Sequence, residues 1–549
     1  MAIARRSVIL STVAGAAALT LASCGGNDGE GGGGSDGAGS EGAGPIMING
    51  REPENPLVPT NTSELAGGDV LTACFSCLLS YAVDGSVQNE AAESIESDDN
   101  QTWTITLRPD QKFSDGSPVT AGSFVDAWNF GALTTNAQRA QSFFEPIEGY
   151  AEVSAEEPTA ETLSGLEVVD DLTFTVKLVS PQADFPTRLG YWAFAPLPAS
   201  AFEDMEAFGL KPVSNGPYMV ESWTHDSEIV CVPNPEYDGP REVKNDGLTF
   251  VVFTDPETAY NDYQSGNLDV LSEIPPTVLP TFEQDLGERA LNQSSATLQH
   301  ITIPQFDTNW TGEAGKLRRQ AFSRGIDRAT ICESLFFNTR VPATDFSSPA
   351  IEGGGATDIP GSEILEFDAA EAKKLWDQAE QIAPFEGEPS LAYNADAPNK
   401  DWVEAVCNSI TNAIGVTVAP QPYPAFGEYK QQIAAKEITG PFRSSWVADY
   451  PSMFNFLFPL YATASADGRG SNEGGFKNEE FDALLMEGQQ AADPAEAIEK
   501  WKAAQAILME ELPSVPLWYQ NALGAFGEAV SGVEYSWNGG LMVHQITKQ

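Results

Sequence analysis

WTITLRPDQKFSDGSPVTA is the sequence of residues 103–121, and FVDAWN follows it at residues 124–129. Alternating polar and apolar residues over Trp103–Leu107 predict a strand with one buried face. The dipeptide Asp115-Gly116 predicts a tight turn. Residues 120–130 predict a helix, because three apolar side chains share one of its faces: Phe124, Ala127 and Trp128. The stretch therefore predicts a strand, a turn and a helix in succession.

The rest of the chain continues this mixture without a strict strand–helix–strand rhythm. Residues 173–178 (TFTVKL) predict another strand, and residues 369–379 predict a helix with Leu375 and Trp376 in its apolar stripe. Residues 494–512 predict a long amphipathic helix that ends at Pro513. This pattern favours an α/β fold built of lobes over a single barrel.

The composition is that of a large, acidic, globular protein. Without residues 1–23 the chain has 526 residues, enough for two or three domains with sizeable cores, and it carries 29 Phe, 11 Trp and 14 Tyr. The formal charge is −50, which becomes −52 when Arg5 and Arg6 are lost with the leader. This charge repels nucleic acid and anionic lipid surfaces, but it does not identify a ligand.

The first 44 residues predict export and tethering. Arg5 and Arg6 precede an apolar run, Val8–Leu21, which is shorter than the ~20 residues that span a bilayer. LASCG at 21–25 resembles the lipobox of bacterial lipoproteins, which implies cleavage before Cys24 and its acylation. A plain secretory signal with an incidental cysteine is the alternative, and the twin arginines leave the export route open. Residues 24–45, rich in Gly and Ser, predict a flexible linker.

Histidines and cysteines are few. His225, His300 and His544 are widely separated, so the sequence does not predict a histidine-built zinc site, and we expect no metal and no cofactor. Five cysteines remain after Cys24, and two of them form a CxxC without a second CxxC. In an exported protein they predict one or two disulfides and at least one free thiol, with the pairing open. These five are Cys74, Cys77, Cys231, Cys332 and Cys407.

Several sequence blocks, in a fixed order, carry a resemblance to a known family. The first is the stretch at 103–129, and the later ones are SNGPY at 214–218, NPEY at 234–237, SGNLD at 265–269, LRRQAFS at 317–323 and WVADYP at 446–451. Together they resemble the peptide-type solute-binding proteins of bacterial ABC importers, the oligopeptide- and dipeptide-binding group. The match runs from about Asn55 to Trp518. Most of these blocks we interpret as structural: Arg318 and Arg319 as salt-bridge partners, Asp269 and Asp327 as caps or acceptors.

The resemblance implies a bilobed, periplasmic-binding-protein-like fold, in which two lobes close on a solute, with an extra domain typical of large peptide binders. Lobe I is discontinuous and the extra domain is inserted in it. The expected boundaries are 46–82, 201–297 and 517–549 for lobe I, 83–200 for domain II and 298–516 for lobe III.

The segment 443–450 carries the candidate binding residues. The resemblance gives Asp449 the role of holding the peptide α-ammonium and Trp446 that of walling a side-chain pocket, with Tyr450 beside them. Residues six apart in an extended strand share a face, so we expect Arg443 to enter the same cleft and engage the peptide carboxylate or backbone. The departure from the family pattern is Pro451-Ser452, where many members have an acidic or Asp-Pro step.

The predicted function is that of a membrane-tethered receptor, not an enzyme, which captures peptides outside the cell and delivers them to ABC permease subunits. We expect a monomer on the outer face of the cytoplasmic membrane, held by the lipid on Cys24. The same scaffold also binds oligosaccharides and other solutes, so a non-peptide ligand is the alternative. A secreted hydrolase is a remote alternative, because the three scattered histidines provide no nucleophile–base pair.

Overall fold

The structure is a computed structural model that describes residues 44–468, 470–491 and 493–549. The predicted signal sequence, Cys24 and nearly all of the predicted linker lie outside the described residues. No helix among the described residues is long and apolar enough to cross a membrane.

Eleven strands among the described residues form one large mixed sheet. They are β1 Ile46–Gly50, β8 Tyr218–Thr224, β9 Glu228–Pro233, β10 Leu248–Val252, β11 Val270–Leu271, β12 Ala290–Thr302, β13 Arg340–Pro342, β14 Ser390–Asn394, β15 Ala419–Tyr423, β16 Phe442–Val447 and β17 Ser514–Phe526. Their order is β15-β14-β16-β12-β17-β11-β1-β10-β9-β8, with β13 paired to β17. The central pair, β12 and β17, is antiparallel and carries two register shifts, between Ser294 and Thr297 and between Gln299 and His300.

The remaining strands form three small antiparallel sheets. The pairs are β2 Leu79–Tyr81 with β3 Val87–Asn89, and β18 Val530–Ser531 with β19 Thr547–Lys548; the third sheet has the order β4 Ala92–Glu96, β5 Thr102–Leu107, β7 Thr173–Lys177, β6 Leu166–Val168. The strands predicted at 103–107 and 173–178 are therefore neighbours in one sheet. The Asp115-Gly116 turn is also confirmed, with Gly116 at φ +84°.

The described residues contain fourteen α-helices. They are α1 Leu65–Cys74, α2 Ala121–Ala132, α3 Tyr150–Val153, α4 Met205–Leu210, α5 Pro256–Gln264, α6 Phe282–Leu286, α7 Gly312–Arg324, α8 Arg328–Phe336, α9 Ala369–Ile382, α10 Lys400–Ile414, α11 Phe426–Ala434, α12 Met453–Tyr461, α13 Glu479–Gln489 and α14 Pro494–Glu511. Short 3₁₀ turns lie at Pro59–Asn61, Thr134–Asn136, Gln141–Phe144, Phe185–Gly190, Trp192–Phe194, Ala199–Glu203, Gly287–Arg289, Ser362–Leu365, Thr463–Ser465 and Val543–Gln545. The three helices predicted in α2, α9 and α14 are confirmed.

Local sequence explains why these helices begin where they do. Thr120 and Ser123 form a reciprocal capping box at the start of α2. Asp368 accepts hydrogen bonds from two backbone N–H groups at the start of α9. Pro494 follows the capping residue Asp493 at the start of α14, where a missing N–H costs nothing.

The core confirms the α/β class and is divided into separate apolar clusters. Trp128 of α2 is completely buried among aromatic rings, with Phe194 edge-on at 5.2 Å. Its cluster combines residues from 46–291 with residues from 530–546. Another cluster contains Trp402 and Trp518, which meet edge-on at 5.5 Å. The boundaries given above for lobe I, domain II and lobe III stay a prediction.

The residues interpreted as structural have structural partners. The guanidinium of Arg318 lies 2.9 Å from Glu380, and that of Arg319 lies 3.3 Å from Glu511. Asp269 accepts a hydrogen bond from the Met47 N–H, and Asp327 caps α8. These four interpretations are confirmed.

Candidate ligand-binding site

A cavity of about 390 Å³ opens beside the end of β1 and the first turns of α1. This volume lies within the range of small-molecule sites. Its wall combines residues 48–51, much of α1, residues 190–192, most of residues 535–544, and Val447 with Asp449. Parts of the chain that are far apart in sequence therefore meet around one space.

Aromatic side chains form much of the wall and are fixed from behind. The Tyr81 hydroxyl donates a hydrogen bond to the Thr187 carbonyl at 2.8 Å, and the Trp192 indole N–H donates one to Thr62 at 2.9 Å. The rings of Tyr191 and Trp192 lie 4.2 Å apart. At Gly68 of α1 a Cβ would lie 2.7 Å from the Trp192 ring, so only glycine allows this approach.

The guanidinium groups on the wall already have carboxylate partners. Arg241 lies 2.7 Å from the buried Glu90, and it also donates hydrogen bonds at 2.6 Å to the carbonyl groups of Thr72 and Phe75. Arg51 pairs with Glu273, although both of these side chains are largely exposed. The Arg241 group is thus built into the wall, where it fixes the end of α1.

Asp449 faces the cavity and is held by Asn455 of α12. The Asn455 amide donates to the Asp449 carboxylate at 3.1 Å, and the Asn455 oxygen accepts from the Asp449 N–H at 2.8 Å. Burial raises the pKa of Asp449 to about 6, a shift that the hydrogen bond from Asn455 opposes. None of the described cationic side chains pairs with this carboxylate, so it is available to bind a cationic group of a ligand.

Asp69 of α1 is a second wall carboxylate that has no cationic partner among the described residues, and sequence reasoning missed it. The side chain of Asp69 is open to water on the cavity side. The protein around its carboxyl nevertheless reduces the hydration of the charged form, and this effect, followed by the negative charge of Glu64, raises the pKa of Asp69 to about 7. Among the described residues it has neither a hydrogen-bond donor nor a cation. The sequence Gly67-Gly68-Asp69 forms no motif that would have indicated this position.

Arg443 lies away from this wall. Strand β16 ends at Val447, two residues before Asp449, so the period-two relation that placed Arg443 beside Asp449 is not continued to that residue. The Arg443 Nε donates to Asn394 at 2.9 Å, and its guanidinium lies 5.8 Å from the Phe426 ring centre. The residues lining the described cavity include Asp449 but not Arg443.

Trp446 and Tyr450 lie behind the wall and not on it. The Trp446 indole N–H donates to Asn455 at 3.3 Å, so both Trp446 and Asp449 contact the same amide. Tyr450 is buried, with the Arg188 guanidinium 5.1 Å from its ring centre. In this structure Trp446 contacts the amide that holds Asp449, whereas Tyr450 packs against Arg188. Their contact with a ligand stays a prediction, as does that of Arg443.

Metal-binding groups and the charge of two histidines can be described for this part of the chain. No group of three His, Cys, Asp or Glu side chains among the described residues is arranged to hold a metal ion. His544 is on the cavity wall, but burial and, second, Arg241 lower its pKa to about 4. Burial also lowers the pKa of His300 to about 3. Both rings are therefore neutral near pH 7.

Comparison with known proteins decides the family. The sequence profile of the bacterial extracellular solute-binding proteins, family 5 (middle region), matches residues 86–468, well over half of the chain. The chain belongs to this family.

Proteins that are similar to this chain in sequence or fold are named for different ligands. The oligopeptide-binding protein OppA of Bacillus subtilis is 25% identical over 533 residues, 94% of each chain. The probable deoxycholate-binding periplasmic protein YgiS of Escherichia coli is 25% identical over 503 residues, 89% of this chain and 90% of its own. The fold is that of Haemophilus influenzae OppA, solved in complex with RPPGFSPFR: the TM-score is 0.74 at 22% identity, over 92% of this chain and 98% of that one. The bilobed fold expected from the sequence is confirmed.

Proposed function

We propose that this protein is a receptor for peptides, which it binds in the cavity with the peptide α-ammonium against Asp449 and delivers to an ABC importer. The observation that carries the proposal is the position of Asp449: on the cavity wall, oriented by Asn455 and without a cationic partner among the described residues. A partly buried carboxylate without a partner gains from a cationic group that pairs with it. Relatives named as oligopeptide- and dipeptide-binding proteins support the same ligand class.

The charges on the wall further restrict the peptide. Among the described residues Asp69 and Asp449 have no cationic partner, whereas Arg51 and Arg241 are paired with Glu273 and Glu90. The wall therefore provides carboxylates for ligand cations but no unpaired guanidinium for the ligand carboxylate. We expect a peptide with a lysine side chain next to its free amine to bind more tightly than the same peptide with glutamate at that position.

Titration calorimetry with di- to pentapeptides tests the proposal. Free peptides should bind, and their N-acetylated forms should bind at least tenfold more weakly, because acetylation removes the ammonium. Equal affinity for free and acetylated forms contradicts the role of Asp449, and no heat with any peptide contradicts the ligand class. Native mass spectrometry of the protein as purified identifies any solute that it retains.

A second candidate, an oligosaccharide or another non-peptide solute, is favoured by one observation. The wall presents the rings of Tyr81, Tyr191 and Trp192, and aromatic faces also stack against sugars and flat apolar molecules. Tight binding of an oligosaccharide that is unaffected by Asp449→Asn would support this candidate over the peptide.

The tether is a separate part of the proposal. The lipobox-like LASCG at 21–25 supports a lipid on Cys24 and a position at the outer face of the membrane. In cells that produce the full chain, Cys24→Ser should move the protein from the membrane fraction to the soluble or secreted fraction. If the variant stays in the membrane fraction, the proposed lipid anchor is wrong, whereas the proposed ligand site is not affected by that result.

A further inference from the structure

Two cysteines from distant parts of the chain meet in the core beside the cavity wall. The Sγ atoms of Cys74 and Cys231 lie 3.9 Å apart, and both residues are completely buried. Cys74 is the last residue of α1, and Cys231 lies in β9 opposite Val220 of β8. All cysteines among the described residues are thiols in this structure.

The other thiols are placed differently. Cys77, the second cysteine of the CxxC, donates its S–H to the Tyr191 carbonyl at 3.4 Å. Cys332 and Cys407 belong to a separate apolar cluster, on α8 and α10. The structure thus favours a distant partner for Cys74 over its CxxC neighbour.

The backbone around Cys74 is fixed toward β8 and β9. Its carbonyl accepts a hydrogen bond at 2.8 Å from the N–H of Gly216, where a Cβ would approach the Cys74 carbonyl to 2.5 Å. Arg241 holds the carbonyl groups of Thr72 and Phe75 on either side. With these contacts in place, side-chain rotation is the main freedom left to the two sulfurs. They need to approach by roughly 1.9 Å to reach the covalent distance of about 2.0 Å.

We propose that Cys74 and Cys231 form a disulfide in the exported protein. The family is extracellular, and disulfides form and persist outside the reducing cytosol. The reaction is thiol–disulfide exchange with a disulfide-bearing oxidant: the two cysteines lose two protons and two electrons and form one S–S bond. The disulfide of the oxidant takes up the two electrons and the two protons and is released as two thiols. Because both sulfurs are buried in the folded protein, the exchange takes place before the core closes.

The bond would join the cavity wall to the sheet. The first two turns of α1 line the cavity through Leu65, Asp69 and Thr72, and the last residue of the helix would be tied to β9. The two cysteines are 157 residues apart. Closing so long a loop restricts the unfolded chain strongly, so the bond should stabilise the fold.

Peptide mapping of the full-length exported protein tests the proposal. The protein is unfolded in alkylating reagent without reductant and digested with trypsin. We expect a linked pair of peptides, 52–112 and 189–241, which separates on reduction, while Cys332 and Cys407 are alkylated. Recovery of Cys74 and Cys231 both alkylated would overturn the proposal, and so would a bond between Cys74 and Cys77.

Two variants separate this bond from the alternatives. Cys77→Ser should keep the linked pair, whereas Cys231→Ser should abolish it. A reductant should lower the thermal midpoint of the wild-type protein and of Cys77→Ser but should leave that of Cys231→Ser unchanged. Equal sensitivity of all three proteins would contradict the proposal. Where a variant does not fold, fragmentation of the linked wild-type peptides still shows whether Cys74 or Cys77 carries the bond, because the other cysteine of peptide 52–112 is alkylated.

Discussion

Asp449→Asn isolates the charge that we assign to ligand capture. The substitution keeps the size of the side chain and its place beside Asn455, but it removes the carboxylate that faces the cavity. A hydrogen bond to a charged group contributes about 1.5–3 kcal/mol. Asp449 is partly buried and has no other cation among the described residues, so we expect a loss of about 2 kcal/mol, or roughly thirtyfold in Kd.

Calorimetry with one tight peptide measures this loss, and the N-acetylated peptide completes a double-mutant cycle. Acetylation and Asp449→Asn should each weaken binding, and the second change should add little to the first, because both remove the same ion pair. Asp98→Asn is the matched control: it makes the same chemical change at an exposed position away from the cavity wall. Because the chain carries a formal charge of −50, this control separates the local contact from the general field.

The raised pKa of Asp449 gives a second readout. The folded, unliganded protein holds a proton on Asp449 below about pH 6, and an arriving ammonium favours the ionised form, so that proton must leave. Wild-type affinity should therefore fall as the pH is lowered from 7 to 5, and Asp449→Asn should show a smaller fall. Additive losses in the cycle, or identical pH profiles for the two proteins, would refute the reasoning.

Three further substitutions test the wall and its support. Asp69→Asn should raise the thermal midpoint at pH 8, because a carboxyl with a raised pKa destabilises the folded state while it is ionised. The gain should shrink as the pH falls from about 7 toward 4, where the carboxyl takes up a proton. Calorimetric scans across this pH range measure the gain, and an effect that does not depend on pH would contradict the reasoning. Glu90→Gln should lower the free energy of unfolding in urea by about 3–5 kcal/mol, because the largely buried guanidinium of Arg241 loses its carboxylate partner. A loss below about 1 kcal/mol would mean that the contacts of Arg241 with the carbonyl groups suffice. Gly216→Ala should lower the free energy of unfolding by about 1–3 kcal/mol in the same assay, because its Cβ clashes with the carbonyl of Cys74. Gly427→Ala in α11 is the control and should be nearly neutral, because a Cβ there meets nothing within 4 Å. Similar losses in the two variants would argue against the clash.

Much of the local structure was predictable because short-range patterns determine it. Alternation over Trp103–Leu107 and the stripe on α9 both reflect burial of one face, and the capping residues Thr120 and Asp368 lie beside the helices that they start. The pairing of strands was not predictable in this way. Strand β17 contacts β11, β12 and β13, and nothing in its own sequence names these partners.

The candidate site was predictable only where the family resemblance supplied it. Asp449 was found through the block at 446–451, and it lies on the cavity wall. Asp69 was not found, because a single aspartate in a helix gains its character only when distant segments surround it. The placement of Arg443 assumed that one strand continued through Asp449. In the structure the Arg443 carbonyl accepts a hydrogen bond from the Tyr429 hydroxyl, and the Arg443 side chain lies against Asn394.

The late position of β17 in the sequence has a consequence for biosynthesis. This strand completes the centre of the large sheet, yet β13, the last made of its three partner strands, ends at Pro342. Until residues 514–526 leave the ribosome, the nascent chain has unpaired strand edges at its centre and cannot finish folding. The large sheet can therefore be completed only when nearly the whole polypeptide has been made.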